Sequence, residues 1–89
     1  MTSYFSLITS KFQKPDLYEK CMNTYNSIPK SCNIHNHSVK NIICAIIYYV
    51  DKSLDLNYIC GMCGVSYTTV DKISNKSIDF CIYNAYLQL

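Results

Sequence analysis

The stretch "YICGMCGVSYTTV", residues 58–70, is compatible with three different local structures. Cys60 and Cys63 are separated by two residues, which is the spacing of a redox pair and of half a zinc site. The same letters fit two short helices joined at Gly64, because glycine adopts the left-handed conformation that ends many helices without a steric penalty. The residues on both sides of Gly64 favour the two helices.

A helix-turn-helix has a small residue where its second helix crosses the first, a glycine in the turn, and apolar anchors on both helices. The sequence fills these positions with Ile59, Cys60, Gly64, Val65, Val70 and Ile73. Contacts with bases or phosphates are expected from the side chains left outside on the second helix, which are Ser66, Tyr67, Thr68, Asp71, Lys72 and Lys76.

The two cysteine-based alternatives need different surroundings. A redox pair follows a strand and opens a helix, and "LDLNYI", residues 54–59, is a candidate strand without the βαβ pattern around it. A zinc site is the stronger alternative, with Cys32 and His35 joining Cys60 and Cys63 as C-x-x-H plus C-x-x-C. Because the helical interpretation places both of the latter cysteines in the core, we expect neither a metal nor another cofactor.

Composition predicts one small domain with its own core. The chain has 89 residues, 49% of them hydrophobic, with two glycines and two prolines. Its longest apolar run, residues 42–50, is much shorter than the roughly 18–20 residues that span a bilayer, and the N-terminus lacks a signal-peptide layout. Six cysteines in a chain without a loop-rich, glycine-rich scaffold indicate a reducing, intracellular location, with most thiols buried as apolar side chains.

Charge is distributed unevenly along the chain. Residues 1–50 carry five lysines against two carboxylates, a charge of +3, whereas residues 51–89 carry three lysines against four carboxylates, a charge of −1. Arginine, the best bidentate partner of guanine, is absent. Since phosphate neutralisation dominates the affinity of independent DNA-binding domains, we expect only weak binding of DNA by this domain alone.

Apolar periodicity and segment length together predict an all-α protein. Residues 39–50 are apolar on nearly every side and fit a buried helix or a buried strand, and their length and the lack of a partner strand favour the helix. The expected segments are helices over residues 3–12 and 15–28, a loop over 30–38 that includes His35 and His37 as solvated side chains, a buried helix over 39–50 capped by Ser38, a fourth helix from the Asp55 cap to Gly64, and a fifth helix capped by Ser66. Pro15 is expected in the first turn of the second helix. Residues 79–89 are expected to form either a further helix that packs back or a frayed end.

This order of segments resembles a known family. "YFSLITSKF", "KPDLYEKCMNTYNSI", "SVKNIICAIIYYV" and "LDLNYICGMCGVSYTTVDKISNKSI" are together similar to one cyclin-like repeat of the transcription factor IIB family. The similarity covers residues 3–80, and "GVSYTTVDKI" is its most specific part. The resemblance implies a five-helix cyclin-like fold in which helices 4 and 5 form a helix-turn-helix.

Members of that family carry two such repeats behind a zinc ribbon and bridge promoter DNA, the TATA-binding protein and RNA polymerase. By this resemblance Thr68 and Asp71 face bases, with Ser66, Tyr67 and Lys72 beside them, although better-known members have arginine where this chain has Asp71. One repeat without a ribbon is expected either in a domain of a longer factor or in a divergent single-repeat protein.

The predicted function is therefore a transcription-initiation module that binds promoter DNA with a TATA-binding-protein-like partner. A cyclin-box protein-interaction domain without DNA contact and a dimeric, stand-alone helix-turn-helix regulator are the alternatives. No catalytic constellation is recognisable, so we do not expect an enzyme. The Asn- and Lys-rich composition suits an AT-rich genome such as that of a large DNA virus, which would place the protein in the nucleus or in a cytoplasmic viral factory.

Overall fold

Helices form all the regular structure of the described part of the chain. The computed structural model describes the backbone of residues 2–87 and the side chains of residues 4–83 and 87. In that part the predicted all-α class is confirmed. The α-helices are α1 (Thr2–Thr9), α2 (Leu17–Ser27), α3 (Val39–Val50), α4 (Leu56–Cys63) and α5 (residues 67–87), and a short 3-10 helix (Asn33–Asn36) precedes α3.

The centre of the fold is α3. Its residues 42–47 are each 2% exposed or less, and the helix contacts α1, α2, α4 and α5. A helix that is apolar on every side is buried on every side, as the run of isoleucines predicts. Its start is also as predicted, because the Ser38 hydroxyl accepts a hydrogen bond of 3.3 Å from the Asn41 backbone N–H.

The first helix is shorter than the predicted span 3–12. It ends at Thr9, where the hydroxyl donates a 2.6 Å hydrogen bond to the Phe5 carbonyl. Ser10 bonds back in the same way to the Leu7 carbonyl at 2.7 Å. Such side-chain bonds compete with the helical pattern. Phe12 lies beyond the helix but still packs against the core.

Pro15 lies in a turn before the second helix and not in its first turn. The Leu17 N–H donates to the Lys14 carbonyl at 3.1 Å, so Pro15 occupies the second position of a four-residue turn. Proline is favoured at that position because its fixed φ matches the turn. Asp16 is then the residue that precedes α2.

The segment predicted as an unstructured loop is partly ordered by burial. Ile34, in the 3-10 helix, is only 1% exposed. It was not predicted as a core residue because its neighbours in the sequence are polar. Cys32, just before it, forms a disulfide with Cys81 of α5, with the two Cα atoms 6.0 Å apart. That spacing is typical of disulfides, and the link fixes the loop against α5.

The last helix is longer than predicted. Tyr67–Lys72 is α-helical, Ile73–Ser77 is a π-helical turn, and Ile78–Leu87 is α-helical again, without a break between them. In the π-helical turn the Ile78 N–H bonds to the Ile73 carbonyl, five residues back. Both isoleucines are buried, and the turn packs against α3. Residues 79–87 are helical, as the first of the two expectations has it, and Cys81 is buried in the core, but they continue α5 without an intervening turn. Gln88 and Leu89 lie outside the described residues.

Two polar contacts fasten the C-terminal end of α3 to its neighbours. Lys14 Nζ lies 2.6 Å from Asp51 Oδ2, and this hydrogen bond, with a second from Ser53, lowers the pKa of Asp51 to about 2. The Tyr49 hydroxyl donates to Asp79 Oδ1 of α5 at 2.5 Å, and this hydrogen bond, together with burial, raises the pKa of Tyr49 to about 12. Both contacts are largely solvated, so each adds little to stability.

Candidate nucleic-acid interface

A three-residue turn joins α4 to α5. Gly64 has φ 70° and ψ 39°, the left-handed conformation predicted from the sequence. The N–H groups of Gly64 and Val65 both point to the Cys60 carbonyl, the latter at 3.0 Å, and so satisfy the end of α4. At the start of α4 the Asp55 carboxylate accepts a hydrogen bond of 3.0 Å from the Asn57 N–H, also as predicted.

The apolar anchors predicted around this turn lie in or against the core. Ile59 and Cys60 of α4 are buried, as are Val70 and Ile73 of α5, and Val65 packs partly exposed against them. The turn therefore fixes the angle between two helices that share one core. The outer face of α5 stays exposed.

The cysteines of the turn region are packing residues. Cys60 lies inside α4 and is 4% exposed, and burial raises the pKa of its thiol. The neighbouring Cys44 of α3 has its pKa raised, first by burial and then by a hydrogen bond with Cys63. Buried thiols with raised pKa values are poor nucleophiles. No strand leads into Cys60 within residues 2–87, so the redox interpretation has no structural basis there.

The four residues of the alternative zinc site do not come together. Cys32 is bonded to Cys81, and a His35 ring nitrogen lies 3.1 Å from the Pro29 carbonyl oxygen. In the part of the chain that the structure describes, no three His, Cys, Asp or Glu side chains are grouped so that they could hold a metal ion. Cys60 and Cys63 serve the α3–α4 contact instead.

Most of the predicted DNA-facing side chains are accessible. Ser66 stands at the N-cap position of α5 with extended backbone, but its hydroxyl makes no capping hydrogen bond, contrary to the expected cap. Tyr67 is 46% exposed, and only Asp71 is half-buried. The exposed members of the predicted set are Ser66, Tyr67, Thr68, Lys72 and Lys76.

Asp71 forms a hydrogen bond within its own helix. Its carboxylate accepts a 2.6 Å hydrogen bond from the Asn75 amide, four residues later. The Asn75 amide oxygen accepts in turn from Lys52 Nζ at 2.8 Å, and this ammonium also lies 4.5 Å from the Tyr48 ring centroid. The Asp–Asn spacing of four was readable from the sequence, whereas the approach of Lys52 was not.

A cleft beside the exposed start of α5 was not predicted from the sequence. It has a volume of about 330 Å³ and lies between the loop before α3 and the first half of α5. His37, interpreted from sequence as a solvated loop side chain, lines it from one side. The α5 residues that line it are Thr68, Thr69, Lys72, Ile73 and Ser77.

A larger depression, of about 480 Å³, lies at the corner between α1 and α2. The Lys14–Asp51 ion pair forms part of its wall, together with Lys20. Lys14 and Asp51 are paired with each other at 2.6 Å, and Asp16 and Lys20 are the other charged residues in the lining.

Comparison with known proteins adds no relative: no protein family, curated protein or solved structure matches this chain. In the described residues, no helix combines the length and the apolar character required to cross a bilayer. Any functional assignment therefore depends on the geometry of α4 and α5 and on the side chains that they expose.

Proposed function

We propose that this chain is one cyclin-like repeat of the transcription factor IIB type and serves as a transcription-initiation module. It binds promoter DNA together with a TATA-binding-protein-like partner, and RNA polymerase is the further partner. The observation that carries the proposal is the α4–α5 unit: a left-handed Gly64 between two helices that share a core, with the outer face of α5 accessible. This is the arrangement by which a helix-turn-helix presents its second helix to the major groove.

The order of helices supports the same proposal. A central helix buried on all sides, with four helices around it and the helix-turn-helix at the C-terminal end, is what a five-helix cyclin-like repeat requires. Residues 1–89 would then form a single repeat whose core covers residues 3–80. The extension of α5 to residue 87 is compatible with that arrangement, because it continues the last helix.

The charge of the proposed interface limits how it acts. Lys72 and Lys76 are its lysines, and Asp71 places a carboxylate between them and the start of α5. Two cations give few phosphate contacts, so the isolated domain binds DNA weakly. Tight binding therefore requires a partner. A protein already bound to the promoter supplies that help by raising the effective concentration of this domain near its site.

The proposal carries further expectations from the sequence. The protein acts inside the cell, in the nucleus or in a cytoplasmic viral factory, without catalytic activity and without a cofactor. In a reducing compartment the Cys32–Cys81 pair would be present as two thiols, because disulfides persist in oxidising environments.

A protein-interaction domain without DNA contact is the second candidate. It is favoured by exposed apolar side chains on the outer face of the second half of α5: Phe80 is 65% exposed, Tyr83 61% and Leu87 63%. These residues recur at helical spacing, as in an amphipathic face that meets another protein. The half-buried, hydrogen-bonded Asp71 points the same way, because it opposes a phosphate backbone.

A mobility-shift titration separates the candidates. The labelled probe is an AT-rich duplex that carries a TATA element, with and without a TATA-binding protein. We expect a supershifted complex in the ternary mixture and little binding by this chain alone. Binding in neither mixture would favour the interaction domain, and tight binding as a dimer without the partner would favour the stand-alone regulator.

Charge variants on α5 test which face meets DNA. Asp71→Arg is expected to strengthen binding and steepen its salt dependence, whereas Lys72→Ala and Lys76→Ala each weaken binding and lower the salt slope by about 1. Asp71→Asn isolates the effect of charge, since an amide can still pair with Asn75. Lys20→Ala, an exposed lysine of α2, is the matched control and should leave affinity unchanged.

A further inference from the structure

We propose that the cleft between His37 and α5 holds one phosphodiester group of the DNA backbone. This inference rests on the proposed function and assigns to it a residue, His37, from outside the helix-turn-helix. The cleft shares Thr68 and Lys72 with the proposed DNA face, so a strand lying along α5 passes its mouth.

The lining of the cleft has the chemistry that phosphate contacts use. Lys72 supplies an ammonium, His37 an imidazole, and Thr68, Thr69 and Ser77 supply hydroxyls, while no carboxylate lines the cleft. Lysine, serine and threonine side chains are the usual donors to phosphate oxygens in protein–DNA complexes. The buried Ile73 closes the remaining wall without a competing polar group.

The size of the cleft suits a small group. At about 330 Å³ it lies at the small end of the range of ligand pockets, roughly 300–1,000 Å³. Its polar donors come from two segments that face each other. A single tetrahedral anion can therefore meet donors from both segments at once, which a flat surface does not allow.

The fold holds His37 in place before any ligand arrives. The His37 N–H donates to the carbonyl of the buried Ile34 at 3.1 Å, and the next residue, Ser38, caps α3. Cys32 of the same loop also lies against Cys81 of α5, with the two Cα atoms 6.0 Å apart. Binding at the cleft therefore costs little ordering of the loop, which favours affinity.

A phosphate held here would orient the domain without reading sequence. Contacts to the backbone fix the register of a protein on the duplex, and base contacts then specify. In a chain without arginine, a backbone contact from a second segment adds to the few that Lys72 and Lys76 provide.

The first test is direct and needs no DNA. A ¹⁵N-labelled sample is titrated with dimethyl phosphate, a phosphodiester anion, and in parallel with trimethyl phosphate, its neutral analogue. We expect saturable shifts confined to His37, Thr68, Lys72 and Ser77 with the anion only. Equal shifts with both compounds, or shifts spread over lysines elsewhere such as Lys11 and Lys30, would overturn the cleft.

The second test is a double-mutant cycle on DNA affinity in the ternary mixture. If His37 and Lys72 hold the same phosphate, His37→Gln and Lys72→Ala each weaken binding severalfold, but together they cost less than the product of the two losses. Lys76 does not line the cleft, so His37→Gln and Lys76→Ala should combine as a simple product. Independent behaviour of both pairs, or no effect of His37→Gln, would refute a shared phosphate.

The two tests separate failure of this inference from failure of the proposed function. If His37→Gln does not change the DNA affinity in the ternary mixture, the cleft contact is refuted but the proposed transcription module is not. Absence of any DNA binding by the wild-type protein removes the proposed function, and with it the DNA backbone as the ligand, even if dimethyl phosphate fills the cleft. His37 is exposed, and thermal unfolding of His37→Gln should match the wild type.

Discussion

Opening the Cys32–Cys81 disulfide should remove a large share of the stability of this protein. The bond joins residues 49 positions apart in the chain. A cross-link over a loop of that length reduces the entropy of the unfolded chain by an amount equivalent to about 4 kcal/mol at 25 °C, and measured native disulfides contribute about 2–4 kcal/mol. A small domain is typically stable by only about 5–15 kcal/mol in total.

The perturbation is best made with reductant and with Cys32→Ser. Cys32 is partly exposed, so serine is tolerated there, whereas a serine in place of the buried Cys81 would bury a hydroxyl as well. Urea titrations followed by circular dichroism should show the wild-type midpoint falling by about 2 M or more in reductant, since small domains unfold with a slope near 1 kcal/mol per molar urea. Cys32→Ser should have the lower urea midpoint even without reductant, and reductant should not change it.

Cys63→Ser is the matched control, because Cys63 is partly exposed and outside the disulfide. It should retain the full response to reductant. An unchanged wild-type midpoint in reductant would refute the reasoning, as would alkylation of all six cysteines in protein unfolded without reductant. The reduced protein also reports the stability expected in the reducing location that the sequence indicates.

Two further substitutions and one titration test the fold. Gly64→Ala should lower the free energy of unfolding by about 1–2 kcal/mol, because a φ of 70° is costly for alanine. Gly61→Ala, inside α4 with free space around it, should raise the free energy of unfolding by about 0.5–1 kcal/mol. Thermal melts that give both changes the same sign would contradict this. The Asp51 carboxylate, with its pKa lowered to about 2, contributes stability above pH 4 that is lost as the pH falls from about 4 to 2. The loss should stay below about 1 kcal/mol because the pair with Lys14 is solvated, and Asp51→Asn should abolish it in urea titrations across that range.

Local chemistry explains what could be predicted from the sequence. Ser38, Asp55 and Gly64 act through bonds or dihedral angles within a few residues of themselves, and all three occupy the predicted positions. The run of residues 42–47 is apolar on every side, which admits only a buried helix once no partner strand exists. The exposed start of α5 follows from the same pattern, because its inward positions are taken by Val70 and Ile73.

What the sequence did not reveal depends on contacts between distant residues. The Cys32–Cys81 bond spans 49 positions, and Lys52 reaches Asn75 over 23 positions. Ile34 stands alone among polar residues, so no periodicity marked it as core. Ile73 and Ile78 were expected to face inward and are buried, but the π-helical turn that places them five residues apart was not predicted, because that spacing matches neither an α-helix nor a strand. His37 was likewise not predicted as a site residue, because only the packing of its loop against α5 brings it to the cleft.

The central claim, that the start of α5 faces promoter DNA, is tested most directly by site-specific photocrosslinking. A photoreactive amino acid is placed at Thr68, or at Tyr83 on the same helix as control, and each protein is irradiated with the labelled TATA-containing duplex and the TATA-binding protein. We predict a crosslink to DNA from Thr68 and none from Tyr83, and only when the partner is present. DNA crosslinks from Tyr83 alone, or crosslinks from Thr68 to protein and never to DNA, would contradict the account.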